Sequence, residues 1–265
     1  IYQTVGLADA LTVELTESSG IEVATDGAGV PDGAGNLAHR AASGFLEIAG
    51  LSASRGARIF IRKEIPAGGG LGGGSSNAAT TIVALQHLTG RRLPDDRLFR
   101  LASSLGADVP LFLIGGTVLG VGRGDEVYAL RDAPPAHLVV ANPGLHVDTA
   151  TVFRSYGSEL TPRNPSASML SFLSALRINA SPTVVGNDLE QAVVKDHPRV
   201  GDARSALLGA GAVTAWMTGS GASVVGIFES VGAAVSAVEQ LEEQGFWARA
   251  VETIDRRSYT GALGL

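Results

Sequence analysis

The chain of 265 residues is 45% hydrophobic and 17% charged, a balance that supports one large or two small domains with a buried core and excludes a disordered tail. Twenty basic against 26 acidic residues give a formal net charge of −6 without a basic block, so no nucleic-acid partner is expected, and the absence of cysteine removes disulfides, cysteine zinc sites and thiol nucleophiles together. The apolar stretch Val109 to Gly122 holds no charge, but it is glycine-interrupted and falls short of the roughly 20 residues a membrane span needs, so no membrane partner is expected either.

In chain order, the weak alternation of Leu11, Val13 and Leu15, then of Ile21 and Val23, predicts strands broken at Ser18-Ser19-Gly20. Asp26 to Gly35 reads as a loop, and Asn36 as the cap of a helix whose apolar positions include Leu37, Ala41, Phe45 and Ile48. Arg58 to Ile65 alternates as a strand stopped by Pro66. An Ala-rich helix then spans Ser75 to Leu88, and Pro94 with Asp95 and Asp96 opens another that runs to Leu105. Val118 to Leu130 reads as strand, glycine turn, strand, and Asp132 to Ala136, with its paired prolines, as a linker. Beyond it come a strand at His137 to Asn142 and helices at Thr149 to Ser155, Ser166 to Leu176 and Asn187 to Val194. A strand-turn-strand at Ala215 to Phe228, a helix from Val231 to Gln244 and a strand from Trp247 to Thr253 complete the pattern. The expectation is an α+β protein of two domains, 1–133 and 134–265.

Thirty-five residues are glycine, and six of them fall within Gly68 to Gly74, between a strand end and a helix start. Glycines there let the backbone adopt positive φ and bring its N–H groups close to an anion, while the helix N-terminus adds partial positive charge. Gly68, Gly70 and Gly73 formally match a dinucleotide fingerprint, but the second strand that fingerprint needs is replaced by a turn at Thr89 to Pro94. A Walker loop fails as well, because Gly74 is followed by Ser75 where lysine is required. A flexible linker is the bland alternative, disfavoured by the strand and helix that bound the segment. The five histidines, His39, His87, His137, His146 and His197, show no ligand spacing, so no metal cluster of protein side chains is expected.

The run from Pro66 through Ala67, Gly68, Gly69, Gly70, Leu71, Gly72, Gly73, Gly74, Ser75 and Ser76 to Asn77-Ala78-Ala79 resembles the ATP loop of the GHMP kinases, the superfamily of galactokinase, homoserine kinase and mevalonate kinase. Leu105-Gly106-Ala107-Asp108-Val109-Pro110 follows in family order, as do Pro143-Gly144 with Thr149 and Phe153, Asn187-Asp188-Leu189-Glu190, and Thr218-Gly219-Ser220-Gly221-Ala222. The long glycine form beside Gly-Ala-Asp-Val-Pro resembles the branch that phosphorylates the 2-hydroxyl of a cytidine diphosphate-linked methylerythritol on the non-mevalonate isoprenoid route.

The resemblance implies a ribosomal-protein-S5-like N-terminal domain, a ferredoxin-like C-terminal domain, and ATP and substrate in the cleft between them. It implies a cytoplasmic enzyme that uses ATP, with Mg²⁺ inferred from ATP use, and leaves the oligomeric state open. Asp108 would be the catalytic base, the loop from Pro66 to Ser76 would hold the phosphates, and Asn36 and Lys63 would lie near the adenine. Thr149 and Phe153, four apart and so on one helix face, would meet the cytidine end of the substrate, and Gly219, Ser220 and Gly221 would lie near the transferred phosphate. Ile1 to Val5 resembles the stretch just after the family's cytosine-binding Gly-Tyr-His, so a segment carrying a lysine partner for Asp108 is expected upstream. Two other readings stay open: another GHMP kinase, of homoserine or mevalonate type, and a nucleotide-binding module without turnover. A cytidine pocket separates the first from the expected enzyme.

Overall fold

The computed structural model describes residues 1–157 and 186–264 and divides them between two compact units. The first comprises residues 1–67, 72–130 and 255–265; the second comprises 68–71 and 131–254. A single cut at residue 133 therefore differs from this division in three places: part of the glycine loop and residues 131–133 group with the second unit, and the C-terminal segment from Asp255 groups with the first.

In the first unit, β1 (Tyr2–Gln3), β2 (Ala10–Thr16), β3 (Gly20–Thr25), α1 (Leu37–Ile48) and β4 (Gly56–Arg62) lead to α2 (Gly73–Thr89), α3 (Asp95–Leu105) and a single-turn α4 (Leu111–Ile114). The hairpin of β5 (Thr117–Val121) and β6 (Glu126–Ala129) follows. Strand β4 is central to one sheet, antiparallel to β2 and parallel to β3. Strand β5 is central to the other, between β1 and β6. The alternation expected of β2 and β3 turns Leu11, Val13, Leu15, Ile21 and Val23 onto a core built around Phe45, Ile59, Ile61, Ile82 and Leu85. Ala38, Ala41, Ala42, Ala78 and Ala79 are all buried completely, and their small side chains let α1 and α2 pack closely.

The expected strand over Arg58 to Ile65 ends three residues early, at Arg62. The cause is local. The Lys63 amide donates to Asp26 Oδ1 at 2.8 Å, and the amides of Glu64 and Ile65 both donate to Asp9 Oδ1 at 2.9 Å, so they are unavailable to a neighbouring strand. Helix α2 in turn starts at Gly73, two residues before Ser75, because Gly72 at φ 69° supplies the reversal that opens it.

The second unit contains β7 (His137–Asn142), α5 (Thr149–Gly157), α6 (Glu190–Asp196), α7 (Pro198–Gly209), β8 (Thr214–Met217), β9 (Val224–Phe228), α8 (Val231–Glu243) and β10 (Trp247–Glu252). Its antiparallel sheet has the order β10-β7-β9-β8. With strands numbered within the unit this is 4-1-3-2, the arrangement of a ferredoxin-like split βαβ. Val200, Ala203 and Leu207 of α7 and Ala234, Ala237 and Leu241 of α8 join Val139, Met217, Val224 and Ala248 in one core. The helix expected over Ser166 to Leu176 lies outside the described residues. The chain closes in the first unit with α9 (Arg256–Leu263), where the Arg256 guanidinium donates to the carbonyls of Thr117 and Leu130. No helix among the described residues is long and apolar enough to cross a membrane.

Candidate active site

The glycine loop is built by alternation. Gly68, Gly70 and Gly72 take φ of 65°, 72° and 69°, a region that side chains disfavour. At Gly70 space is also decisive: a Cβ would lie 2.5 Å from the Thr218 carbonyl oxygen and 2.7 Å from that of Gly221. The loop is tied to that turn by the Ser223 amide, which donates to the Gly69 carbonyl at 3.0 Å, and by Thr218 Oγ1, which donates to the Gly70 carbonyl at 3.2 Å. Gly219-Ser220-Gly221 is thus more than the hairpin connection of β8 and β9, since it also brackets the glycine loop.

The Asn187-Asp188-Leu189-Glu190 motif supports this bracket. Asn187 Nδ2 donates to the Met217 and Gly219 carbonyls at 2.9 and 2.6 Å. Glu190 accepts from the Met217 amide at 2.8 Å and faces Arg204 at 3.2 Å. Helix α6 begins at Glu190 itself, so Asn187 acts from the preceding turn.

Two expected substrate contacts lie on the same surface. Thr149 Oγ1 and Ser220 Oγ share a hydrogen bond of 2.7 Å, and Phe153, one turn further along α5, is 57% exposed. Its neighbour Val152 fills the core instead. An aromatic ring left in solvent one turn from a hydroxyl-bearing bracket is suited to stacking a flat ring. His146, which the sequence offered only as an unassigned histidine, stands against Gly68, where a Cβ would lie 2.2 Å from His146 Nδ1.

At the other end of the loop, no side chain caps α2, which leaves its first-turn amides for an anion. Ser75 and Ser76 are not caps, because they lie inside the first turn. A Cβ on Gly72 would lie 2.9 Å from the Phe112 ring, so the helix start rests on α4, the turn that directly follows Asp108. The segment after Asp108 is a short helix, and the strand that follows begins at Thr117, one residue before the expected Val118.

Asp108 keeps an exposed face, yet desolvation by the surrounding protein raises its carboxyl above the ordinary aspartate range. The opposing influence is a long hydrogen bond, 3.4 Å, from the Tyr2 hydroxyl to Asp108 Oδ1. Tyr2 is slotted against Gly120 and Gly124, where a Cβ would meet its ring and hydroxyl at 2.5 Å each. Burial, with the Asp108 charge beside it, pushes the Tyr2 phenol up to about 12, so it stays protonated and can donate near neutral pH. Tyr2→Phe should therefore move the carboxyl further up, carrying the acid limb of the kcat profile to higher pH, while kcat at neutral pH changes by less than about tenfold. A pH–rate profile checks this, and an acid limb unmoved or shifted down would contradict it.

Asn36 is 6% exposed and both ends of its amide are engaged: Oδ1 accepts from the Ala38 amide at 2.9 Å and Nδ2 donates to the Pro31 carbonyl at 3.0 Å. The cap reading describes what it does in the structure. Lys63 is ion-paired with Asp9, and the two side chains are 10% and 0% exposed. Sequence reasoning passed over Asp9 and Tyr2. Asp9 offered only its position before a strand, and Tyr2 sits in a two-residue strand too short to show periodicity. Among the described residues, no group of three or more His, Asp or Glu side chains is arranged to hold a metal ion.

Two family models match the chain. That of the GHMP kinases N terminal domain matches residues 36–116, and that of the GHMP kinases C terminal domain matches residues 168–246. A 4-diphosphocytidyl-2-C-methyl-D-erythritol kinase from Geobacter sp. (strain M21) is 40% identical over 255 residues, which cover 96% of this chain and 89% of the relative. The chain belongs to the GHMP kinases, within the 4-diphosphocytidyl-2-C-methyl-D-erythritol kinase family. A crystal structure of 4-(cytidine 5'-diphospho)-2C-methyl-D-erythritol kinase superposes with a TM-score of 0.78 at 37% identity, covering 94% of this chain and 87% of that one. The homoserine kinase of Cytophaga hutchinsonii superposes at 0.73 with 17% identity, covering 97% of this chain and 89% of that one, and shares the fold alone. A member of this family is an ATP-dependent small-molecule kinase with the two-domain GHMP fold.

Proposed function

We propose that this chain transfers the γ-phosphate of ATP to the 2-hydroxyl of 4-diphosphocytidyl-2-C-methyl-D-erythritol, in the cytoplasm. The observation that carries the choice of acceptor is the exposed Phe153 one turn from Thr149, whose hydroxyl is bonded to Ser220 beside the glycine loop. Homoserine and mevalonate have no aromatic ring to stack there; a cytosine does.

In this reading the backbone amides from Gly68 to Gly74, with the start of α2, hold the phosphates of ATP, and Pro66 and Ala67 shape the entry to that loop. Asn36 and Lys63 flank the adenine. Asp108 accepts the proton of the 2-hydroxyl as its oxygen bonds to the γ-phosphorus, and the bond from that phosphorus to the bridging oxygen breaks to release ADP. The raised Asp108 carboxyl suits this role, because a more basic carboxylate is a better proton acceptor. Gly219, Ser220 and Gly221 keep the glycine loop in register, and Thr149 and Phe153 hold the cytidine. The Ser75 and Ser76 hydroxyls would help hold a phosphate-bound Mg²⁺, which when present would neutralise charge on the transferring group.

Competition tests the choice of acceptor. CDP should inhibit transfer competitively against the cytidylyl acceptor, and failure of CDP to compete would favour another GHMP kinase activity. Phe153→Ala should raise KM for the acceptor by roughly tenfold, the scale of one lost base–aromatic stack, with KM for ATP unchanged. Steady-state kinetics with each substrate varied in turn would show it, and an unchanged acceptor KM would remove Phe153 from the site.

A further inference from the structure

We infer that Asp9 is a positioning residue for nucleotide binding, a buried carboxylate that fixes the chain on both sides of the glycine loop. The inference rests on the kinase reading above and extends it to a residue that touches neither substrate.

Asp9 has four donors. Oδ1 accepts from the Glu64 and Ile65 amides, each at 2.9 Å; Oδ2 accepts from Asn77 Nδ2 at 2.8 Å and from the Lys63 ammonium. Residues 63–65 are the last before Pro66 opens the loop, and Asn77 lies just beyond the first turn of α2, where the loop has closed. One carboxylate therefore pins the entry to the loop and its exit. Between those pins the loop is mostly glycine, the residue with the most backbone freedom to lose, so anchored ends matter more here than in an ordinary loop.

Lys63 extends the device. A Cβ on Gly27 would lie 2.2 Å from Lys63 Cγ, and one on Gly73 would lie 3.3 Å from Lys63 Nζ. The stem is wedged against one glycine and the ammonium sits at another, the first residue of α2. A buried ion pair is an inefficient stabiliser, because desolvation offsets most of its attraction and apolar residues of similar size do as well. What it supplies that apolar residues do not is direction: the carboxylate sets where the lysine ends and where the two amides point. Burial by itself would raise the Asp9 carboxyl, but these hydrogen bonds outweigh it and hold the carboxyl below the usual range, so the anchor stays charged at neutral pH.

The test compares ADP and CDP binding, by titration calorimetry, to the wild-type protein and to the Asp9→Asn and Asn77→Ala variants. Asp9→Asn turns a donor toward Lys63 and Asn77. Asn77→Ala removes one donor and leaves the ion pair, so it carries the test should the first variant fail to fold. ADP affinity is expected to fall at least about tenfold in each variant that folds, with CDP affinity unchanged. Equal losses for ADP and CDP would mark a general structural role and overturn the inference, as would an unchanged ADP affinity. The comparison is independent of turnover: a wild-type protein that binds ADP but transfers nothing to the cytidylyl acceptor would refute the kinase reading while leaving the role of Asp9 decidable.

Discussion

Replacing Asp108 with asparagine is expected to lower kcat by at least about 100-fold while leaving ATP affinity within a few-fold, the signature of a lost general base. The substitution is nearly isosteric and keeps an oxygen that can accept from Tyr2, so the turn between α3 and α4 should be undisturbed. What is lost is the ability to take a proton. Since desolvation raises the Asp108 carboxyl, wild-type kcat should fall as pH drops through a value above the roughly 3.9 of an ordinary aspartate, because the protonated acid is inactive as a base. Residual turnover of the Asn variant should lack that limb. Turnover near the wild-type level would remove Asp108 from the chemistry.

Gly70→Val should weaken binding of ADP or an unreactive ATP analogue by at least about 100-fold. Two independent obstacles combine there. The φ of 72° costs any branched side chain strain, and the new Cβ would meet the Thr218 and Gly221 carbonyl oxygens, which are backbone atoms and cannot rotate aside. The loop or its bracket must move, and with it the amides that face the phosphates. Gly90→Ala, at the opposite end of α2, is the control: its φ is 64° but a Cβ there would meet nothing within 4 Å. It should lose only the roughly 1–2 kcal/mol of the left-handed conformation and bind nucleotide normally. Calorimetry on both variants separates dihedral strain from collision, and normal nucleotide binding by Gly70→Val would show that the loop is not a phosphate cradle.

Much of this molecule could be read from its residues where a local rule was strong. Strand β7 and helices α1, α3 and α8 lie within a residue or two of the expected ends, because caps such as Asn36 and Ser230 and the periodicity of their apolar positions act over one turn. The exit of β4 was misplaced because its deciding partner is distant in sequence: Asp9 is 55 residues from Glu64 and 56 from Ile65. Helix α7 was missed for a different reason. Gly201 sits inside it, which reads as a break, yet there the glycine makes room for Val194 of α6, 3.0 Å from where a Cβ would be. Its buried positions Val200, Ala203 and Leu207 do carry the helical spacing.

The candidate site divides along the same line. The glycine loop stood out through its composition, and Thr149 with Phe153 through the family resemblance, their four-residue spacing adding only that they share a helix face. Asp108 drew attention through its motif, whereas its partner Tyr2 is 106 residues away and could be found only from coordinates.

The most direct test of the account is phosphate transfer by the intact protein from radiolabelled ATP to an acceptor panel of 4-diphosphocytidyl-2-C-methyl-D-erythritol, homoserine and mevalonate, with the labelled position located by phosphorus NMR. The account predicts label on the 2-hydroxyl of the cytidylyl acceptor alone, lost with Asp108→Asn and competed by CDP. Label on homoserine or mevalonate, or none on any acceptor from a protein that still binds ATP, would contradict it.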